Sequence, residues 1–338
     1  MMRRASALVV VLAVVLVLLA VVAWFVMSPS TPAAPEPQPA KAPREQFASD
    51  RAPPPTPPLP FDSRRALGYL EEICKIGPRV SGSAGMKKQQ ELLTRHFEAQ
   101  GAKVELQRFT ARQVSQSRPV EMANLIASWH PEAKRRIILC AHYDTRPIAD
   151  QERDRRKWYE PFLGANDGGS GVAVLMELAH HLKDLKTAVG VDIVLFDGEE
   201  YIFDPDRDKY FFGSEHFAQA YRPRGDQPRY IAAVLLDMVA GKDATFPIEQ
   251  NSRFLAGTLV EQLWGIAAEL KCTRFQARMG PEVLDDHLAL NRAGIPAVDI
   301  IDFSYPHWHR LSDIPANCSA EPMEQVARVL GVWLQRVK

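Results

Sequence analysis

Val191-Asp-Ile-Val-Leu-Phe-Asp-Gly-Glu-Glu200 joins an apolar run to two adjacent acids, and the reading of this stretch decides the fold. A run of this length closed by Asp-Gly predicts a strand buried on both faces, the kind found in sheets covered by helices. Side-by-side carboxylates repel one another unless a cation holds one of them, so the pair asks for a metal. One acid would then be a ligand and its neighbour a general base beside the reacting atom. The competing reading is a solvated acidic turn.

Other segments weigh against that turn. Arg136-Ile-Ile-Leu-Cys-Ala-His142-Tyr-Asp144 is a second apolar run, with polar groups where it stops, at the rim where open parallel sheets bind ligands. Gly164-Ala-Asn-Asp167-Gly-Gly-Ser-Gly171 precedes a helical pattern from Val172 to Leu182, and its glycines let the backbone bring Asp167 close to a cation. The run from Tyr230 again ends in an acid, Asp237, and a strand-like run from Ile295 ends in Tyr305-Pro-His307-Trp308-His309. A lone histidine at a strand end, or one Gly-Asp-Gly turn, would carry little. Together His142, Asp167, Glu200, Asp237 and His309 make an imidazole and carboxylate set suited to zinc.

The order and wording of these segments, AHYDT, GANDGGSG, FDGEE, LLD and PHWH, resemble the zinc aminopeptidase superfamily that includes the glutaminyl-peptide cyclotransferases (glutaminyl cyclases). The resemblance covers residues 62–338. It implies a zinc exopeptidase-like three-layer αβα fold with a mixed, mostly parallel sheet. It also implies zinc ligands at Asp167, Glu200 and His309, a general acid/base at Glu199, and further catalytic acids at Asp237 and Asp285. Dinuclear aminopeptidases of the superfamily bind a second zinc through the positions matching His142 and Asp237, with the Asp167 equivalent bridging. Cyclases keep those residues yet hold one zinc, so one ion is favoured and two remain open.

Three features resemble the cyclase branch: Asp285-Asp286-His287 where aminopeptidases usually read Ser-Asp-His, Trp308 before His309 as a substrate-pocket residue, and the long segment from Tyr201 to Phe212. Two depart from it. No tryptophan follows the paired glutamates closely, and the animal cyclase disulfide has no counterpart near Cys140. Trp308 also reads as an aromatic packed over the sheet edge, and Asp285 and Asp286 as a helix cap before Leu288. The expected reaction is cyclisation of N-terminal glutamine in peptides or proteins to pyroglutamate, with release of ammonia. The alternatives are hydrolysis of N-terminal residues by a zinc aminopeptidase and a non-catalytic, membrane-anchored binding ectodomain.

The 338 residues, 46% apolar, can bury a full core, and strand and helix patterns alternate as in an α/β domain. Strands are expected near 102–109, 121–129, 136–142, 191–197, 230–237 and 296–302, the short gap between 121–129 and 136–142 suggesting an antiparallel pair. Helices are expected near 63–75, 84–100, 171–185, 213–221, 252–271 and 320–337. With 41 basic and 41 acidic residues nothing favours nucleic acid. Four scattered cysteines lack metal spacing, and Cys140 reads as a buried free thiol.

Residues 7–27 contain only Ala, Val, Leu, Trp, Phe and Met behind Arg3 and Arg4. This predicts an N-terminal anchor over residues 1–28, with the remainder on the extracytoplasmic side. Residues 29–60 hold twelve of the 26 prolines and read as a semi-rigid spacer before a catalytic domain at 61–338.

Overall fold

The computed structural model describes residues 56–338 apart from Arg224 and Asp226. Six strands form the main sheet: β1 (Lys103–Ala111), β2 (Val120–Trp129), β3 (Arg135–His142), β4 (Gly190–Phe196), β5 (Arg229–Asp237) and, after two short strands, β8 (Ala297–Ile301). Their order is β1-β2-β4-β3-β5-β8, with β1/β2 and β2/β4 antiparallel and the remaining neighbours parallel. All six expected strands are present, but the expected pairing of β2 with β3 is not. β4 lies between them, so the antiparallel edge is β1 with β2 and not the pair adjacent in sequence.

The apolar runs supply two cores because successive side chains leave a strand on opposite faces. Ile137, Leu139 and Ala141 of β3 enter one core, and Ile138 and Cys140 the other. β5 divides the same way, Val234 and Leu236 against Ala233 and Leu235. Helices α1 (Ser63–Lys75), α2 (Ala84–Ala99), α3 (Ser170–Leu182), α6 (Gly257–Glu269) and α8 (Ala320–Arg336) supply the larger core, while α4 (Phe212–Ala220) and α7 (His287–Arg292) cover the opposite face. This is a three-layer α/β architecture with a mixed sheet. The Arg136 and Asp192 pair in the strand interior is bidentate and is further held by the Tyr230 hydroxyl, so neither group is left unpaired in the core.

Local chemistry fixes the helix starts. Asp62 accepts from Arg65 N at 3.0 Å ahead of α1, and Ser83 from Met86 N at 3.1 Å ahead of α2. The single helix expected at 252–271 is two, α5 (Gln250–Leu255) and α6, broken at Ala256, whose φ of −136° is not helical. Two short strands, β6 (Phe246–Ile248) and β7 (Phe275–Met279), pair in parallel outside the main sheet. All four cysteines are buried and free.

The expected anchor at residues 1–28 and the linker up to residue 55 lie outside the described residues. Among the described residues no helix is long and apolar enough to cross a membrane, and this corrects the membrane-anchored, extracytoplasmic placement read from the sequence. α8, of 17 residues, carries Glu321, Glu324, Arg328 and Arg336 on one side and packs its apolar side into the larger core, a pattern of a surface helix and not of one spanning lipid. The last residues assigned to the linker lie on the domain: Gln335 Nε2 donates to Pro57 O at 2.9 Å, and Leu59 packs on the core.

Candidate metal centre and catalytic cleft

Most of the chemistry-bearing segments leave the carboxyl end of a parallel strand, the edge where open α/β sheets collect ligands. His142 ends β3, Glu199 and Glu200 follow β4, Asp237 ends β5, and Trp308 and His309 follow β8. Asp167 comes from the turn before α3. At Gly168 in that turn φ is +79° and an added Cβ would meet Asp144 O at 2.5 Å, so glycine is required for Asp167 to approach. Asp313 fixes the same turn, accepting Asn166 N at 2.9 Å and Asp167 N at 3.1 Å. Arg79, fully buried, donates to Leu163 O and Gly164 O.

Two groups of side chains converge, sharing Asp167: His142, Asp167 and Asp237, and Asp167, Glu200 and His309. Within each, one ligand atom per residue lies within 4.8 Å of the others. Asp167 turns one oxygen to each imidazole, Oδ1 lying 3.2 Å from His142 Nε2 and Oδ2 3.7 Å from His309 Nε2. His309 Nε2 lies 2.7 Å from Glu200 Oε1, and His142 Nε2 3.2 Å from Asp237 Oδ1. Asp167 Oδ2 and Glu200 Oε2 are buried without a hydrogen-bond partner. Buried carboxylate oxygens without a partner, on side chains that also meet an imidazole nitrogen, are the donor chemistry that a zinc ion satisfies.

The braces behind the two groups differ. Arg146, 1% exposed, reaches Glu200 Oε1 at 3.2 Å and Asp150 Oδ2 at 3.1 Å, and Asp150 Oδ1 lies 2.9 Å from His309 Nδ1. On the other side Asp144 accepts Glu199 N at 3.2 Å and Glu200 N at 3.1 Å, fixing the backbone of the paired acids. It approaches His142 Nδ1 only to 3.8 Å.

Burial and neighbours separate the paired glutamates. Burial pushes Glu199 well above the ordinary carboxylate range, His142 opposing this and Glu200 reinforcing it. Burial also raises Glu200, but the His309 imidazole and the Arg146 guanidinium outweigh it and leave the group at about 2. Adjacent in sequence, the two acids are thus shifted in opposite directions, Glu199 toward its protonated form and Glu200 toward its ionised form. Asp285 is raised by burial and then by Asp237, and Asp299, fully buried with both oxygens unpartnered, by burial and then by Asp285.

A cavity of about 360 Å³ opens over these groups, lined both by the acids Asp167, Glu199, Glu200, Asp237 and Asp285 and by the apolar Val283, Leu284, Ile301, Phe303 and Trp308. The segment 201–211 closes it with Tyr210 and Phe211, in place of a tryptophan close behind the acids. Gln113 holds that segment, donating to Tyr201 O and Lys209 O at 2.6 Å each. Phe211, Met238 and His309, all beside the cleft, have φ of +66°, +49° and +53°. Left-handed backbone at residues with side chains is local strain that the surrounding packing holds in place.

All the residues singled out in the sequence meet here: Asp167, Glu199, Glu200, Asp237, Asp285, Trp308 and His309 line the cavity, and His142 touches Asp167 and Asp237. Trp308 is a wall residue, its ring centroid 3.8 Å from that of His309. Asp286 precedes α7 without a side-chain capping bond, and Asp285 Oδ1 accepts Asp286 N at 2.6 Å. Sequence reasoning missed Arg146, Asp150, Asp299 and Asp313. An arginine and an acid four apart after the AHYDT run were the one signal that could have marked the first two.

A model of peptidase family M28 matches residues 124–334. The glutaminyl-peptide cyclotransferase-like protein of Bos taurus is 27% identical over 287 residues, spanning 76% of this chain and 70% of that protein. Among solved structures, the glutaminyl cyclase of Fimbriiglobus ruber matches with a TM-score of 0.82 at 51% identity, over 84% of this chain and 98% of its own. A leucine aminopeptidase precursor from Bacteroides thetaiotaomicron matches with a TM-score of 0.78 at 31% identity, over 84% and 100%.

Proposed function

The chain belongs to peptidase family M28, and from that premise we propose that it is a zinc-dependent glutaminyl-peptide cyclotransferase, converting N-terminal glutamine of peptides to pyroglutamate and ammonia. The observation that carries this reading over the aminopeptidase alternative is the likeness to the Fimbriiglobus ruber enzyme over nearly all of that chain. Asp167, Glu200 and His309 would hold one zinc. The orphaned oxygens of Asp167 and Glu200 support this set, and so does the Asp150 carboxylate oxygen 2.9 Å from the outer nitrogen of His309, an ion-pair distance without hydrogen-bond alignment, because metal-bound histidines usually have a carboxylate or carbonyl beside the second nitrogen. His142 and Asp237 would take a second ion only weakly, since His142 lacks that support.

Zinc held at this place would supply Lewis acidity toward the side-chain carbonyl of the glutamine. The chain's own residues do the rest. Glu199, at the cavity floor and raised in pKa by burial, takes a proton from the α-amine as its nitrogen attacks the side-chain carbonyl carbon. The ring C–N bond forms, the amide C–N bond breaks, and Glu199 returns the proton to the departing ammonia. Asp237 and Asp285 orient the amine from the same wall. Trp308, Tyr210 and Phe211 exclude water, which would otherwise turn cyclisation into hydrolysis. Purified protein supplied with zinc and given glutaminyl peptides and leucine anilide side by side should release ammonia from the first and leave the second intact. Anilide cleavage without ammonia release would overturn the proposal in favour of the aminopeptidase.

A further inference from the structure

Arg79 is fully buried, forms no ion pair among the described residues, and has its Nε without a hydrogen-bond partner. A guanidinium taken out of water without a counter-charge in contact costs stability, so the fold alone gives no reason for an arginine here. Burial pulls its pKa down, and Asp313, Asp144 and Asp167 are the carboxylates that oppose this. All three belong to the metal cleft.

The side chain and the backbone of Arg79 reach different loops. Its fork donates from Nη1 to Leu163 O and from Nη2 to Gly164 O at 2.9 Å, two successive carbonyls at the start of the turn that carries Asp167. Its N–H donates to Thr145 Oγ1 at 2.8 Å, and its carbonyl accepts Thr145 N at 3.3 Å. Thr145 follows Asp144, the acid that accepts the N–H groups of Glu199 and Glu200. The two loops touch where Arg79 joins them: at Gly164 φ is +53°, and an added Cβ would meet Asp167 O, and Thr145 Cγ2 at 3.0 Å.

Resting on the zinc set of the cyclase reading, we propose that Arg79 is a positioning residue for the reaction, fixing the turn of Asp167 against the segment of Asp144 and so setting the metal ligand Asp167 relative to the paired acids Glu199 and Glu200. It does not line the cavity and bonds to none of the proposed ligands, so it acts through Asp167 and Asp144. A lysine would keep the charge but lacks the rigid fork that fits two successive carbonyls at once. Misplacing a reacting group by about 1 Å can cost about 100-fold in rate, so a loss of register here is felt without any substrate contact being removed.

The test uses the full-length protein as Arg79→Lys and, should that variant not fold, as Thr145→Val, which keeps the shape and removes the hydroxyl that accepts Arg79 N. Zinc affinity is read against a competing chelator, and amide exchange of Asn166 and Asp167 in the metal-free protein. At saturating zinc, kcat and KM are read from ammonia release by Gln-Ala-Ala-amide. Arg79→Lys should weaken zinc binding about tenfold, speed exchange in the turn about tenfold relative to β4, and lower kcat about tenfold with KM within about twofold. Thr145→Val should shift the same quantities the same way by about threefold. Zinc affinity and turn exchange unchanged in the variants that fold, or exchange that rises as much in β4 as in the turn, overturns the proposal and leaves Arg79 a packing residue. A wild type that releases no ammonia overturns the cyclase reading alone, and zinc affinity and exchange then decide the role of Arg79.

Discussion

The two imidazoles of the cleft face the same bridging acid, Asp167, yet they are supported differently. His309 has a carboxylate 2.9 Å behind its outer nitrogen, and that carboxylate is itself paired with a buried arginine that also reaches Glu200. His142 has two acids behind its outer nitrogen, Asp144 and Glu199, each no nearer than 3.8 Å, and Asp144 is engaged with two backbone N–H groups. A ligand is as good as the group that fixes its tautomer and orientation, and this difference is why the proposed zinc site is placed on the His309 half.

The comparison can be broken at several points, beginning with the largest effect. Glu199→Gln keeps the volume and removes the proton carrier, so kcat should fall about 100- to 10,000-fold while zinc stays bound, read by single-turnover kinetics and metal analysis. Zinc lost along with activity would mean that the roles of Glu199 and Glu200 are reversed. Glu200→Gln should weaken zinc binding by about 100-fold or more against a competing chelator, while His142→Ala should weaken it by less than about tenfold. Equal effects, or two tightly held zincs per chain, would erase the asymmetry and favour the aminopeptidase.

Asp150→Asn tests the brace alone. It touches no proposed substrate group, so zinc affinity should fall about tenfold with the unfolding midpoint of the metal-free protein little changed, and unchanged affinity would reduce the brace to packing.

The smallest effect lies behind the cleft, where Glu249 and Asp299 repeat the contrast of supported and unsupported groups. Glu249 accepts Asn251 N at 2.8 Å, Ser252 N at 2.5 Å and Val283 N at 3.0 Å, and lies 3.3 Å from His287 Nε2; although burial raises it, these donors bring it to about 2. A carboxylate depressed below its unfolded value stabilises the fold above about pH 4.3 and loses that contribution as pH falls toward 2, by at most about 3 kcal/mol. Denaturant unfolding at pH 7 and pH 3 should show a smaller acid loss for Glu249→Gln than for the wild type. Equal losses would mean that the donors do not hold the charge.

The sheet was legible because each central strand is an apolar run long enough to fill two cores, as at Ile137 to Ala141. Strand order was less so: a short gap between β2 and β3 says that they are close in sequence, and β4 still enters between them. β6 holds Pro247 and β7 exposes Gln276 and Arg278 in part or fully, so neither has the apolar pattern that marks a strand. His142, Glu200, Asp237 and His309 were legible because each stands where an apolar run stops, and Asp167 because it stands in a glycine-rich turn before a helical pattern. Arg146, Asp150 and Asp313 stand in loops among other polar residues, and their partners are fixed by the folded chain alone: Asp313 meets Asn166 across 147 positions.

That last span bears on how the protein is made. Asp167 and Glu200 leave the ribosome well before His309, and the turn carrying Asp167 lacks its clamp until Asp313 follows. A nascent chain that stops short of this segment presents acids without the imidazole that completes the set. Because domains gain structure as they emerge, metal capture should be among the last events in maturation, with a newly made chain passing through a metal-free interval.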